Sequence, residues 1–335
     1  MAEAPRRKST RKDVAERAGV SVAVVTYTLN GGPVASATAE KVLKAVAELG
    51  YQPNRTAQAL KSGSAHTLAL IVPDDTNPFF TELAHAVELT ARKRGYALYI
   101  APSPTDRPVT AERLTDFASR QVDGVLIVPG DVPLDVSDLR NVGIPWSLIA
   151  ASSSIPGITS FGVDLYGGAV AATEHLIADH GYRRLGFIGD TSGGTEPRHL
   201  GWLTSCRAHG LDPGPALHAP FTREGGHAAG LELTRSASLP EALFVASDMI
   251  GVGVLRALHQ HGVNVPEDIA MVSFDGCWES EYSWPALTSI RQPVEDMAEV
   301  AVASLLTATT EQGHHQTLPG ELVLRESCGS HAEPL

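Results

Sequence analysis

Ten basic side chains crowd the first 62 positions: Arg6, Arg7, Lys8, Arg11, Lys12, Arg17, Lys41, Lys44, Arg55 and Lys61. They face five acidic ones, Glu3, Asp13, Glu16, Glu40 and Glu48. Cations at this density suit one kind of chemistry, replacing the counterions of a phosphate backbone. The whole chain carries a formal charge of -12, so a segment of about +5 precedes a remainder of about -17. That asymmetry fits a nucleic-acid-binding head on an acidic body; a solvated basic tail is the alternative that charge alone leaves open.

Residue types that break bonds are present but not assembled. Gly189-Asp190-Thr191-Ser192-Gly193-Gly194 follows a strand-like run and hints at a phosphate cradle. It lacks the Lys-Ser/Thr of a P-loop and reads as a turn. His314-His315 stands in a polar stretch beside Gly313 and Gln316, and two adjacent histidines cannot by themselves fill a metal's coordination shell. Cys206, Cys277 and Cys328 are widely separated without Cys-x-x-Cys spacing, so neither a disulfide framework nor a zinc site is indicated. No activated nucleophile or carboxylate pair forms a compact motif. The expectation is a binding protein, not an enzyme, with no cofactor.

The basic residues need a frame, and the first 50 positions supply three short helices. Thr10 followed by Asp13 can cap a helix that carries Val14, Ala15 and Ala18 on one face and ends at Gly19. Ser21 then caps a second helix through Leu29, and Asn30-Gly31-Gly32-Pro33 breaks the chain. A third, from about Ser36 to Leu49, places Val42, Ala45, Val46 and Leu49 at helical spacing before Gly50. Two helices joined through a glycine turn and braced by a third describe a helix-turn-helix, whose second helix enters the major groove.

The string from Thr10 to Leu60, with Asp13-Val14-Ala15, Ala18-Gly19-Val20-Ser21, Leu29-Asn30-Gly31, Thr38, Val42, Leu49-Gly50-Tyr51, Pro53-Asn54 and Ala57 to Leu60, resembles the head of the LacI/GalR (lactose repressor) family. The resemblance implies that Val22, Ala23, Thr26 and Tyr27 face bases and phosphates, with Asn30 and Asn54 near the backbone. Thr10, Ser21 and Ala57 join this DNA-facing set. Family members commonly carry threonine and arginine where this chain has Val24 and Tyr27. Arginine forks onto guanine, whereas tyrosine offers one hydroxyl and a ring for a thymine methyl or a phosphate. With Val22 and Ala23 apolar, the helix is expected to read mainly shape and methyl groups. The alternative is that Tyr27 packs inside the head.

Residues 1–52 are thus expected to form the head and 53–63 a hinge. Arg55 to Lys61 is too short to be helical alone. The resemblance implies support from a two-fold partner and from the minor groove, where Leu60 would wedge between base pairs. The alternative is a flexible linker whose Leu60 packs on the body.

From residue 64 to 335, apolar runs at Leu68–Val72, Ala97–Ile100, Gly124–Val128, Trp146–Ile149, Leu185–Ile188, Ala242–Val245 and Ile269–Phe274 alternate with helical patterns. Those patterns lie at Phe80–Arg94, Leu165–Asp179, Arg198–His209 and Met249–His261. This predicts an α/β body of parallel sheets flanked by helices, in two lobes, with ligands beyond the carboxyl ends of the strands. Asn77-Pro78-Phe79-Phe80, Asp123-Gly124, Gly143-Ile144-Pro145, Gly181-Tyr182-Arg183-Arg184, Gly201-Trp202, Ser247-Asp248 and Phe274-Asp275 resemble the effector-binding body of the same family, related to periplasmic sugar-binding proteins. The resemblance implies three crossings between lobes, near 162, 290 and 320. Lobe 1 would then take 64–162 and 291–320, and lobe 2 would take 163–290 and 321–335.

Strand-end position and family register give Asp75, Phe79, Phe80, Arg198, Phe221, Ser247, Asp248 and Asp275 as candidate effector contacts. Rings cover the apolar face of a sugar or base, and Arg and Asp bind hydroxyls or amines. Phe79 and Phe80 can equally be core, Asp248 a helix cap, and Arg198 with Asp275 a structural ion pair. Ala150 stands where relatives often place a polar residue. The expectation is a repressor that binds a pseudo-palindromic DNA operator as a homodimer under control of a small polar effector, a sugar among the candidates. No membrane span or apolar leader is evident, which points to the cytoplasm. The rival is a periplasmic-type solute-binding protein, which needs a secretory leader and no basic helix-turn-helix.

Overall fold

The computed structural model describes residues 9–52, 63–74, 76–103, 109–130, 134, 136–307 and 313–329. Asn54, Ala57, Leu60 and Asp75, and with them the expected hinge helix, lie outside the described residues. The chain divides into two compact units, Met1–Ala65 and His66–Leu335.

The first unit holds α1 (Arg11–Ala18), α2 (Val22–Leu29) and α3 (Ser36–Leu49). Thr10 and Asp13 cap each other's backbone amides at the start of α1, and Gly19 ends it in the left-handed region at φ 68°, where glycine carries no Cβ penalty. Ser21 caps α2 two residues on, so the turn between the helices is set by one glycine and one hydroxyl. Val14, Ala15, Val25, Val42, Ala45 and Tyr51 form the core. Arg17 pairs with Glu48, and the Ser9 hydroxyl donates to the Leu49 carbonyl at 2.9 Å; both contacts tie α1 to the end of α3.

The second unit is built on two six-stranded sheets. The first contains β1 (Thr67–Val72), β2 (Ala97–Pro102), β3 (Gly124–Ile127), β4 (Trp146–Ile149), β5 (Ser160–Val163) and β11 (His315–Leu318), in the order β2-β1-β3-β4-β5-β11. All of its pairings are parallel. The second contains β6 (Leu185–Gly189), β7 (Ala216–His218), β8 (Ala242–Val245), β9 (Ala270–Asp275), β10 (Thr288–Arg291) and β12 (Glu321–Val323), in the order β7-β6-β8-β9-β10-β12, with only β12 antiparallel. Helices cover both faces, so the central strands are buried throughout and read as unbroken apolar runs.

The connecting helices are α4 (Pro78–Lys93), α5 (Ala111–Ser119), α6 (Val136–Leu139), α7 (Leu165–Glu174), α8 (Pro197–Ala208), α9 (Arg223–Leu233), α10 (Asp248–Gln260), α11 (Trp278–Glu281) and α12 (Val294–Thr307). A π-helical turn, His175–Asp179, extends α7. Around the first sheet, Leu68, Leu83, Val87 and Met297 pack on one face and Ile71, Leu114, Val125 and Leu148 on the other. Around the second, Phe187, Trp202, Phe244 and Phe274 oppose Ile188, Val245, Leu258 and Met271. The chain passes between sheets after β5, after β10 and after β11, which returns α12 to the first core and sends the last described segment to the second. Among the described residues no helix is long and apolar enough to cross a membrane.

Candidate DNA interface and effector site

α2 is not amphipathic in the usual way, because both of its faces are largely apolar. Val25 is buried, with Val24 and Leu29 packed beside it on the head's core. Val22 is 44% exposed and Tyr27 59% exposed, and Ala23 and Asn30 are exposed with them. Tyr27 therefore stands outside the head core. Its backbone carbonyl accepts from the Gly32 amide at 2.8 Å, and a Cβ added at Gly32 would lie 3.0 Å from the ring. The glycine thus lets the ring rest against the turn. Thr26 is half-buried, and its hydroxyl donates to the Val22 carbonyl at 2.9 Å.

Thr10 and Ser21 are exposed but occupied as caps. The Thr10 hydroxyl donates to Asp13 at 2.8 Å, and the Ser21 hydroxyl accepts from the Val24 amide at 3.3 Å. No acidic side chain stands in the first turn of α2, so the positive end of its dipole is not neutralised from within the helix.

In the body, Arg198 lies in the first turn of α8, beyond the end of β6. Glu196 and Pro197 start that helix; Glu196 caps it by accepting from the His199 amide at 2.8 Å. Arg198 is largely buried. Its Nε donates to Glu196 at 2.6 Å and its Nη1 to the Ala246 carbonyl at 2.9 Å. Its guanidinium lies 4.7 Å from the centre of the Phe221 ring and 5.5 Å from that of Phe274. The partner of Arg198 is thus Glu196, not Asp275. Asp190 at the end of β6 accepts from Ser192, which makes the Gly189–Gly194 segment an Asx-type turn with a carboxylate where a phosphate would need to sit.

Asp275 ends β9 with φ 106°, a strained left-handed backbone for a non-glycine residue. Its carboxylate accepts from Gln292 at 2.7 Å. Burial, then the charge of Asp248, raise its pKa, against the lowering effect of Arg198. Asp248 is also buried and likewise raised by desolvation, but its oxygens are taken by the Ser273 and Ser289 hydroxyls and the Cys277 amide. It organises β9, β10 and the loop after β9 and offers no free oxygen to a ligand. The cap of α10 is Ser247, which accepts from the Ile250 amide at 3.3 Å. Phe79 belongs to the first core, whereas Phe80 is half-buried over it at an edge-on 5.2 Å.

The strand ends thus bring together Arg198, Phe221 and Asp275, and turn Ser247 and Asp248 inward. Sequence reasoning missed Glu196, Phe274 and Gln292. Glu196-Pro197 is a readable helix start, which would have placed a carboxylate two residues from Arg198. Gln292 carries no signal, because it meets Asp275 only through the β9–β10 pairing. The lobes are also joined directly: Glu82 on α4 accepts from the Trp278 amide at 2.7 Å.

A trihelical head with an outward second helix, on a two-sheet body whose strand ends gather an arginine, carboxyl groups and rings, defines a DNA-binding regulator with a ligand-sensing domain. Residues 10–54 match the family described as bacterial regulatory proteins, lacI family, and residues 173–328 match the periplasmic binding protein-like domain. The chain is 31% identical over 327 residues to catabolite control protein A of Priestia megaterium, covering 94% of this chain and 98% of that protein. A crystal structure of the lac repressor dimer bound to operator and the anti-inducer ONPF is similar at TM-score 0.81 and 26% identity, covering 97% of this chain and all of that one. A transcriptional regulator CelR–cellobiose complex is similar at TM-score 0.69 and 30% identity, covering 96% and 100%. The chain belongs to the lacI family of bacterial regulatory proteins and is a DNA-binding transcriptional regulator.

Proposed function

We propose that this regulator represses transcription as a two-fold dimer on a pseudo-palindromic operator, and that a small polar effector at the strand ends of the body controls it. The observation that carries this reading is α2, which exposes Val22, Ala23, Tyr27 and Asn30 while anchoring its opposite face in the head. Such a face reads methyl groups and groove shape, and the surrounding cations hold the backbone, so affinity falls steeply with salt. Asn54, Ala57 and Leu60 are proposed to act at the minor groove in the centre of the site, where two hinges meet.

In the body, Arg198, Phe221 and Asp275 on one lobe and Phe80 on the other are the proposed effector contacts. The cellobiose in the CelR complex favours a carbohydrate-like molecule for this site. An effector that prefers one arrangement of the lobes shifts the population that binds operator, and by linkage operator shifts effector affinity by the same factor.

The test is selection of DNA from random-sequence duplex pools by the purified protein at two salt concentrations. Enrichment of a pseudo-palindrome that is lost at high salt supports the reading; failure to enrich any sequence, with and without a sugar panel, removes it. Tyr27→Ala should then lower affinity for the selected site. An operator indifferent to that change would show that Tyr27 reads nothing.

A further inference from the structure

Away from both sites, the second lobe gathers His175, His180 and Cys328, whose ligand atoms all lie within 4.8 Å of one another. We propose that they form a transition-metal site of the His2Cys type, suited to zinc, with His175 Nε2, His180 Nε2 and Cys328 Sγ as ligands and solvent completing the shell.

The histidine pair already has the spacing that a metal demands. The two Nε2 atoms stand 3.2 Å apart, and two nitrogens bound tetrahedrally to zinc at ordinary bond lengths stand about 3.3–3.4 Å apart. The π-helical turn makes this possible. In a regular α-helix, residues five apart point in different directions, whereas the wider His175–Asp179 turn brings His175 and His180 together, their rings edge to face at 4.8 Å. Turns of this kind concentrate at functional positions.

The outer partners also suit a metal. His175 Nδ1 lies 2.7 Å from the Asp179 carboxylate. That contact holds the Nδ1 proton and leaves the Nε2 lone pair directed at the centre of the cluster, the carboxylate–histidine arrangement that orients metal ligands. The Cys328 sulfur is buried, 2.9 Å from the Thr288 hydroxyl. Because Thr288 Oγ1 accepts from the Arg325 amide at 2.8 Å, its own proton is free to donate to sulfur, as a metal-bound thiolate requires. His180 stacks on Tyr182 at 5.6 Å, and the Tyr182 hydroxyl donates to the Cys328 carbonyl at 3.3 Å. Both rings and the cysteine are therefore held from outside the cluster.

Bringing sulfur to bonding distance needs a shift of about 1 Å, within the range of a small χ1 turn. On binding, the Cys328 thiol loses its proton to solvent and the His180 proton resides on Nδ1; no electron is transferred. The ligands come from opposite ends of the lobe's sequence, which is why spacing rules pass over them. The metal would clip the segment after β12 to the end of α7.

The competing state is a plain histidine–histidine hydrogen bond beside a thiol. Full-length protein stripped by chelator and titrated with Co2+ alone, as a spectroscopic substitute for Zn2+, separates the two. The expected result is one equivalent bound per chain, with a thiolate-to-cobalt charge-transfer band and displacement of cobalt by Zn2+. Cys328→Ser should abolish the band, and His180→Gln, at a partly exposed position, should weaken binding tenfold or more, with circular dichroism confirming that both variants fold. Absence of the band in the native chain, or an unchanged band and stoichiometry in both variants, overturns the proposal. Metal bound at histidines alone, for instance His314 and His315, would give the first result, and metal bound at another cysteine would give the second.

Discussion

The two lobes share a topology and differ at their strand ends. Beyond β1 and β4 the first lobe offers Phe80 and Ala150, with Phe79 and Val128 held in its core, while beyond β6, β8 and β9 the second offers Asp190, Glu196, Arg198 and Asp275. On one wall Phe80 and Ala150 supply apolar area, and on the other the second lobe supplies direction through fixed donors and acceptors; the first lobe's Asp74 carboxylate is engaged by Thr76, and Asp75 lies outside the described residues. A ligand held between them would be identified by the second lobe and covered by the first. The fold is thus common property of both halves, and the chemistry resides in a few residues grafted onto its ends.

The largest effect should come from removing the directional anchor. Arg198→Ala is expected to lower effector affinity thirtyfold or more, equal to about 2 kcal/mol or more for a desolvated charge with several hydrogen bonds. The substitution also leaves Glu196 buried without its partner, so part of any loss could be structural. Glu196→Gln combined with Arg198→Ala should recover thermal stability but not effector binding, measured by calorimetric titration with the sugar found in a thermal-shift screen. Recovery of both would assign Arg198 to the scaffold and erase the contrast between lobes.

Phe80→Ala tests the opposite wall. Loss of a half-buried ring that can stack on a ligand should lower affinity about tenfold. The operator affinity of the ligand-free protein should stay unchanged, as read in the same titration and in a DNA-binding assay. An effect as large as that of Arg198→Ala would mean that the first lobe also specifies the ligand.

The contrast between lobes was only half legible in the sequence. Buried central strands such as Leu68–Val72 and Ala242–Val245 announce themselves as apolar runs, and the caps at Thr10 and Ser21 mark their helices. The short β5, β7, β10, β11 and β12 do not, because polar, charged or glycine residues take up much of each and leave no unbroken apolar run. Helix α9 was hidden by its glycines, normally breakers. Here Gly226 and Gly253 let α9 and α10 approach until an added Cβ would stand 2.1 Å from the Ile250 or Arg223 carbonyl oxygen. Of the site, Arg198 and Asp275 could be named, but not their partners, since the Asp275–Gln292 contact depends on strand register and the inward turn of Asp248 on three donors from other elements.

A smaller effect concerns the cost of the polar wall. Asp275 has a raised folded-state pKa, caused first by burial and then by Asp248. A group whose folded pKa lies above its unfolded value contributes stability below the unfolded pKa and loses it as pH rises through the folded one. Asp275→Asn keeps the shape and the acceptor for Gln292 while removing the charge. It should therefore raise the melting temperature by a few degrees at about pH 8 and change it little at about pH 4, as differential scanning calorimetry at both values would show. Equal shifts at both would mean that charge burial is not the origin.

The finest test converts one wall toward the other. Ala150 follows β4 with φ 56°, a left-handed conformation that asparagine tolerates far better than alanine. Ala150→Asn therefore adds an amide to the first lobe without demanding a new backbone, and Ala150→Gly relieves the same backbone without adding a polar group. If the first lobe lacks only a donor, the asparagine variant should bind a polyhydroxylated effector about threefold more tightly, the worth of one exposed hydrogen bond, while the glycine variant matches the native chain. A loss of affinity in the asparagine variant alone would mean that the effector presents an apolar surface here. The asymmetry of the lobes would then be part of ligand recognition, not an accident of an unconstrained position.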